Sequence, residues 1–130
     1  CIHSDLVNEK EGIENKKFFE KLDLIEYRKD SPVLRLWFNH HTDYKSIDFS
    51  VKARVSSVQG MALFVTQKMG AGILPDHTLA KLKERGEPLY TFKGSGEPLK
   101  NSIRLAYLSQ RSHTPTVKTI RDHLSQELRR

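Results

Sequence analysis

The sequence is poor in residues that crosslink a chain or anchor it in a membrane. It holds a single cysteine, Cys1, among 130 residues, which excludes a disulfide within the chain and is typical of a reducing compartment. No apolar run approaches the roughly 18 residues that a membrane-spanning helix needs. Residues 1–5 have neither the charged start nor the apolar stretch of a secretory signal peptide. These absences predict a cytoplasmic protein that does not associate with a membrane.

Motifs that would carry catalysis or hold a metal are also absent. Gly94-Ser95-Gly96 lacks the residue that the G-x-S-x-G turn of a hydrolase has on each side of its serine, and it is typical of a surface turn. No G-x-G-x-x-G follows an early strand, which argues against a Rossmann-type enzyme. Neighbouring residues on a helix point about 100° apart, and His40 and His41 have no cysteine or carboxylate at ligand spacing. We expect both to be solvent-facing histidines near a helix end. The sequence thus predicts no enzyme, no metal and no cofactor.

Basic residues outnumber acidic ones, with 22 Lys and Arg against 16 Asp and Glu and a formal net charge of +6. A basic chain can bind nucleic acid, but here the basic residues are spread along the whole sequence. No helix-turn-helix signature and no interleaving of basic and aromatic residues accompanies them. The missing motifs argue against specific DNA binding by this chain, and a surface that attracts a small anionic ligand fits the same charge equally well.

The hydrophobic pattern alternates between the strand period and the helix period. Apolar residues occupy every second position from Phe49 to Val55, and from Val58 to Met69 they fall on one face of a helix that Ser57 would cap. Strands are predicted near residues 22–27, 49–55, 73–75, 89–92 and 103–107. Helices are predicted after a Ser31 cap with Pro32 in their first position, over 58–69, over 76–85 and from 115. This order predicts an α/β domain with a mixed, mostly parallel sheet and flanking helices.

Three segments, in this order and spacing, resemble the LysR-type transcription regulators. The first is R-V-S-S-V-Q-G-M at 54–61, and the second is V-T-Q-K-M-G-A-G-I-L-P at 65–75. The third, at 102–128, runs from S-I-R-L-A-Y-L through Arg111, Thr114 and Pro115 into V-K-T-I-R-D-H-L. Residues 22–37 fit the family as well. The chain departs from the family at Lys68, where a glycine is usual at the helix end, and lysine can adopt such a turn at some cost.

The resemblance implies a lobe like those of the type 2 periplasmic binding proteins, within a two-lobed domain that holds a small-molecule effector between its lobes. It implies that residues 1–13 lead in from the hinge and that 14–100 form the second lobe. Residues 101–130 would be the strand and helix that return to the first lobe, most of which this sequence does not include. In the family, the effector controls the packing of an oligomer, and an N-terminal winged helix-turn-helix, also not included here, contacts DNA. The expected partners are therefore the effector and further copies of the chain.

The candidate effector site consists of turns that follow strands. In a mostly parallel sheet, the turns at Asp30-Ser31 and at Ser56-Ser57-Val58 would lie at the carboxyl ends of the strands, where open α/β folds bind ligands. Free amides and the positive end of a helix dipole favour an anion there. The small residues of Gly70-Ala71-Gly72 would form a third edge of the site. The alternative is that Ser31 and Ser57 are only helix caps.

A second function remains open for the same fold. The chain can also be a fragment of a periplasmic-type solute-binding protein. The lack of a signal sequence argues against this alternative, and a receptor of that kind would also need its first lobe.

Overall fold

The structure is a computed structural model that describes residues 1–7, 15–28, 32–44, 46–100, 106 and 114–127. The chain divides into two compact units, Cys1–Pro98 and Leu99–Arg130. The first unit contains β1 (Ile2–His3), α1 (Lys16–Lys21), β2 (Asp23–Tyr27), α2 (Val33–His41), β3 (Ser50–Val55), α3 (Val58–Thr66), α4 (Asp76–Glu84) and β4 (Leu89–Tyr90). The second unit contains α5 (Pro115–Glu127). The α/β class that the sequence predicts is confirmed.

Strands β2 and β3 form a parallel pair, with Asp23 opposite Ser50 and Tyr27 opposite Val55. Ala71 adds an isolated parallel bridge to β2 at Leu24, and β1 pairs antiparallel with β4. The prediction of one mixed sheet is therefore wrong for the described residues, which form two sheets of two strands each.

The predicted strand at residues 73–75 is also wrong, since no strand forms there. Pairing with β2 stops at Ala71, and the Gly72 amide donates to the Cys1 carbonyl instead. Pro75 has no amide hydrogen for a sheet and stands at the N-cap of α4.

The predicted strand at 49–55 and the predicted helix that begins at 58 are confirmed as β3 and α3. In β3, exposed and half-buried residues alternate along the whole strand. In α3, Met61 and Val65 are fully buried one turn apart. The helix ends at Thr66 and not at Met69, because the backbone turns at Lys68, where φ is 62°.

The start of α2 differs from the prediction by one residue. Pro32 occupies the N-cap position and Val33 is the first helical residue, so Pro32 is not in the first helical position. The proline side chain has no acceptor, and no side-chain hydrogen bond caps this helix. Ser31, the predicted cap, lies outside the described residues.

The core of the first unit lies on both faces of β2. Consecutive strand residues point to opposite faces, and both Leu24 and Ile25 are buried. Leu24 packs in a cluster with Phe19, Leu34 and Phe38, whose side chains come from α1 and α2. On the other face, Ile25 belongs to a cluster with Met61, Val65 and Leu89. The two consecutive apolar residues of β2 thus supply one buried side chain to each face of the strand.

Aromatic rings fill the cluster beside α1 and α2. The Phe19 ring lies edge to face against four others, at centroid distances of 5.6 Å to Phe18, 6.2 Å to Trp37, 5.0 Å to Phe38 and 5.3 Å to Phe92. This is a favoured geometry for aromatic pairs. The sequence predicts a strand at 89–92, but β4 ends at Tyr90. Phe92 lies beyond that end and packs in this aromatic cluster.

The expectation that both adjacent histidines face solvent is wrong for His41, which is only 7% exposed. Its Nδ1 lies 2.8 Å from the Ser95 carbonyl oxygen. In return, the His41 carbonyl accepts hydrogen bonds from the Ser95 amide at 2.8 Å and hydroxyl at 2.9 Å. His40 is exposed, with Nε2 2.8 Å from the Glu97 carbonyl oxygen. The loop at residues 94–97 thus covers the carboxyl end of α2, a contact that local spacing does not encode.

The predicted last helix is confirmed as α5. The Thr114 hydroxyl accepts a hydrogen bond from the Val117 amide at its start. The predicted strand at 103–107 lies outside the described residues except for Ala106. Among the described residues, no helix has the length and apolar character to cross a membrane.

Candidate functional site

The best-defined candidate site is the turn that joins β3 to α3. Ser57 has extended backbone angles, with φ −141° and ψ 156°, and its hydroxyl accepts a hydrogen bond from the Gly60 amide at 3.1 Å. The Ser57 carbonyl accepts the first helical bond from the Met61 amide. Ser57 is therefore the N-cap of α3, as predicted. Ser56 and Ser57 are both exposed and Val58 is half-buried, so a molecule in solvent can reach this turn.

Parallel pairing brings the ends of β2 and β3 together. Because Tyr27 lies opposite Val55 in the register, Arg28 and Ser56 leave their strands at the same edge of the sheet. This arrangement is what the sequence predicts for the two turns. Asp30 and Ser31, the candidate residues that follow β2, lie outside the described residues.

The charges at this edge suit an anion. The first amides of a helix have no intrahelical partner and carry the positive end of its dipole. The first turn of α3 contains no acidic residue. Arg54, one residue before the end of β3, places its Nε 3.7 Å from a Glu26 carboxylate oxygen, and its side chain is half exposed. The exposed Arg28 adds a second guanidinium at the end of β2.

The Gly70-Ala71-Gly72 segment lies at the other end of β2. Ala71 pairs with Leu24, near the first residue of the strand, and all three residues are buried. A Cβ on Gly70 would lie 2.5 Å from the Asp23 carbonyl oxygen, and one on Gly72 would clash with the Met61 side chain. These small residues let the chain pack against its own backbone and core. The structure therefore does not bring them beside Ser56 and Ser57.

The comparison with known protein families identifies the domain. The family model described as LysR substrate binding domain matches residues 4–129. The chain belongs to this family. LysR substrate-binding domains are effector-binding domains of transcription regulators, so the resemblance seen in the sequence is confirmed. No curated protein and no solved structure gives a significant match.

Two of the segments that resemble the family occupy defined places in this LysR substrate-binding domain. Residues 54–61 run from the end of β3 into α3, and residues 65–75 run from the end of α3 to the N-cap of α4. In the third segment the structure describes Ala106 and residues 114–127, which include α5. The segment at residues 54–61 thus contains the Ser57 turn.

A cavity of about 220 Å³ in this LysR substrate-binding domain is not predicted by any local pattern in the sequence. It lies at the carboxyl end of α2 and is lined by Phe19, Trp37, His41, Thr42, Asp43, Tyr44, Gly94 and Ser95. These residues come from α1, from α2 with the turn after it, and from the loop that follows β4, so no local motif unites them. The aromatic content of residues 37–44 was the one available signal. Elsewhere in the described part of the chain, no three His, Cys, Asp or Glu side chains cluster as metal ligands would.

Proposed function

We propose that this chain is the effector-sensing domain of a bacterial transcription regulator and that it binds a small anion between two lobes. The anion would contact Ser56, Ser57 and the first amides of α3. Binding there would change how copies of the regulator pack, and so how an N-terminal winged helix-turn-helix meets DNA. Family membership supports effector sensing in transcription control.

The Ser57 turn is the observation that carries the proposal for an anion. It combines an exposed hydroxyl, a helix start without acidic residues and the adjacent end of a parallel strand. Helix starts of this kind bind sulfate, phosphate and carboxylate groups through backbone amides. The proposed contacts of Asp30 and Ser31 rest on the sequence. Gly70, Ala71 and Gly72 have a packing role that accounts for their small size, and an effector contact there remains a prediction.

Two substitutions at Ser57 separate its capping role from its anion-binding role. Ser57→Ala removes the cap and should lower the free energy of unfolding by about 0.5–2 kcal/mol. Ser57→Asp keeps a good capping oxygen, so stability should stay within about 0.5 kcal/mol of the wild type, but its carboxylate repels an anion. The probes are sulfate, phosphate and a panel of small carboxylates, measured by thermal shift. A bound anion raises stability by about 2.7 kcal/mol at 100 times its Kd.

The matched control is Asn15, the N-cap of α1, whose side chain accepts from the Phe18 amide at 2.9 Å. Asn15→Ala should cost as much stability as Ser57→Ala, and Asn15→Asp should retain the cap. Neither should alter the response to the anion. Equal anion responses in Ser57→Asp and the wild type would show that Ser57 is a cap alone and would end the proposal for this turn.

A further inference from the structure

The cavity at the carboxyl end of α2 has a chemical character opposite to that of the chain as a whole. The chain carries a net charge of +6, yet no lysine or arginine is among the described residues that line the cavity. Its lining holds the aromatic rings of Phe19, Trp37 and Tyr44, the His41 imidazole, whose Nδ1 lies 2.8 Å from the Ser95 carbonyl oxygen, and one carboxylate, Asp43. Such a lining favours a cation.

Aromatic faces provide the first attraction. The π face of a ring is electrically negative and attracts a cation within about 6 Å of its centre, most strongly for tryptophan. Trp37 and Tyr44 are half-buried, so part of each side chain is accessible to solvent, whereas Phe19 is buried. Organic ammonium ions suit such sites because their methyl groups also gain from leaving water.

Charge provides the second attraction. Asp43 is exposed, and among the described residues no cation lies within ion-pair distance of its carboxylate. The cavity also lies where α2 ends, and the negative end of a helix dipole stabilises a cation. The volume of about 220 Å³ is below the range of about 300–1,000 Å³ that drug-sized ligands occupy. The occupant must therefore be small.

We infer that this cavity binds a small organic ammonium ion, such as a quaternary ammonium or a protonated tertiary amine with short substituents. The site is separate from the anion site at Ser57. Helix α2 runs from the carboxyl end of β2 back to the amino end of β3, whereas Ser57 follows the carboxyl end of β3. Two of its lining residues, Gly94 and Ser95, belong to the loop that hydrogen-bonds to His41. A bound ion therefore contacts the segment just before Pro98, where the first unit ends.

The test compares choline with 3,3-dimethylbutan-1-ol, which has the same shape and no charge. Trp37 is the only tryptophan of the chain, so its fluorescence reports on the cavity directly. Choline should change this fluorescence saturably and bind at least about tenfold more tightly than the alcohol. Equal binding of the two probes, or saturable binding of neither, would overturn the inference.

Asp43→Asn tests the carboxylate without changing the shape of the side chain. Choline affinity should fall by about three- to tenfold, and the weak affinity for the alcohol should not change. Asp48→Asn is the matched control, since Asp48 is exposed on the same connection to β3 but does not line the cavity. Circular dichroism should show that both variants fold. A choline affinity that falls equally in both variants, or in neither, would contradict a role for Asp43 and reject the ammonium site as argued.

Discussion

At the scale of single residues, two helix ends of the same geometry differ in one side chain. After α4, the Gly86 amide donates to Lys83 and the Glu87 amide donates to Leu82. After α3, the Lys68 amide donates to Val65 and the Met69 amide donates to Phe64. Both ends are Schellman motifs, which require a left-handed residue just past the cap. Gly86 has φ 84° and Lys68 has φ 62°, so a lysine holds the position that glycine adopts without strain.

Lys68→Gly should therefore stabilise the chain. A left-handed conformation costs a residue with a Cβ about 1–2 kcal/mol, and we expect the free energy of unfolding in urea to rise by about 1 kcal/mol. The substitution also removes the ion pair between Lys68 Nζ and Asp5 Oδ2, at 2.5 Å. This pair is exposed and holds the pKa of Asp5 below its usual value, and exposed pairs add little stability.

Lys68→Ala is the control, because it removes the ion pair and leaves the strain in place. It should not stabilise the chain. The mirror change, Gly86→Ala, introduces the same strain where a Cβ meets no other atom, and it should cost about 1 kcal/mol. If Lys68→Ala stabilised as much as Lys68→Gly, backbone strain would not be the cause.

At the scale of elements, β2 lies at the centre of the first unit, with paired backbone on both of its edges and a core cluster on each of its faces. It pairs with β3 along one edge and with Ala71 along the other. Its last residue, Tyr27, donates its hydroxyl to the Ile73 carbonyl at 3.1 Å. That bond satisfies a carbonyl in the segment where the predicted strand at 73–75 does not form. Partial burial raises the pKa of the Tyr27 hydroxyl.

Tyr27→Phe should cost about 1 kcal/mol near neutral pH, the net value of one hydrogen bond. Because the folded pKa of Tyr27 is raised, its contribution is fully present below the pKa of an unfolded tyrosine, about 10. The contribution is lost as the pH rises from there through the folded pKa. The stability difference between wild type and variant, from urea unfolding at a series of pH values, should shrink above about pH 10. A difference that stays constant with pH would mean that this hydroxyl does not ionise as argued.

At the scale of the molecule, the second unit contains an apolar face. On α5, Val117, Ile120 and Leu124 lie on one side of the helix and are 45%, 54% and 39% exposed. A contiguous apolar face of this kind is uncommon on the surface of a monomer. The family resemblance implies that this helix packs within the first lobe, most of which this sequence does not include. In this chain we therefore expect the face to pair with a second copy.

Sedimentation velocity tests this expectation. The wild-type chain should associate with increasing concentration, and Ile120→Lys should shift it toward the monomer because a buried charge is costly. Gln126→Lys adds the same charge to an exposed position away from the apolar face and should leave association unchanged. A wild-type chain that stays monomeric at every concentration would show that α5 is not a contact between copies.

The sequence by itself determined the local elements and the family. Period-two and helical spacing located β3, α3, α4 and α5, because burial of one face is a property of consecutive residues. Capping chemistry located Ser57, because a helix cap acts within one helical turn, and the family resemblance singled out Lys68. The parallel pairing of β2 and β3, and hence the Ser57 edge of the candidate site, followed from the order of elements.

Only the tertiary structure decided which residues meet across the chain. His41 is buried, and its Nδ1 lies 2.8 Å from the carbonyl oxygen of Ser95, 54 residues away. The residues next to His41 in the sequence do not predict that contact. The Gly70-Ala71-Gly72 segment resembles a ligand turn in sequence, but it packs at the amino end of β2 because Ala71 pairs with Leu24. The cavity at Asp43 is assembled from three separate segments. Contacts of this kind depend on how elements pack in space, and packing is set by the whole set of side chains rather than by any local pattern.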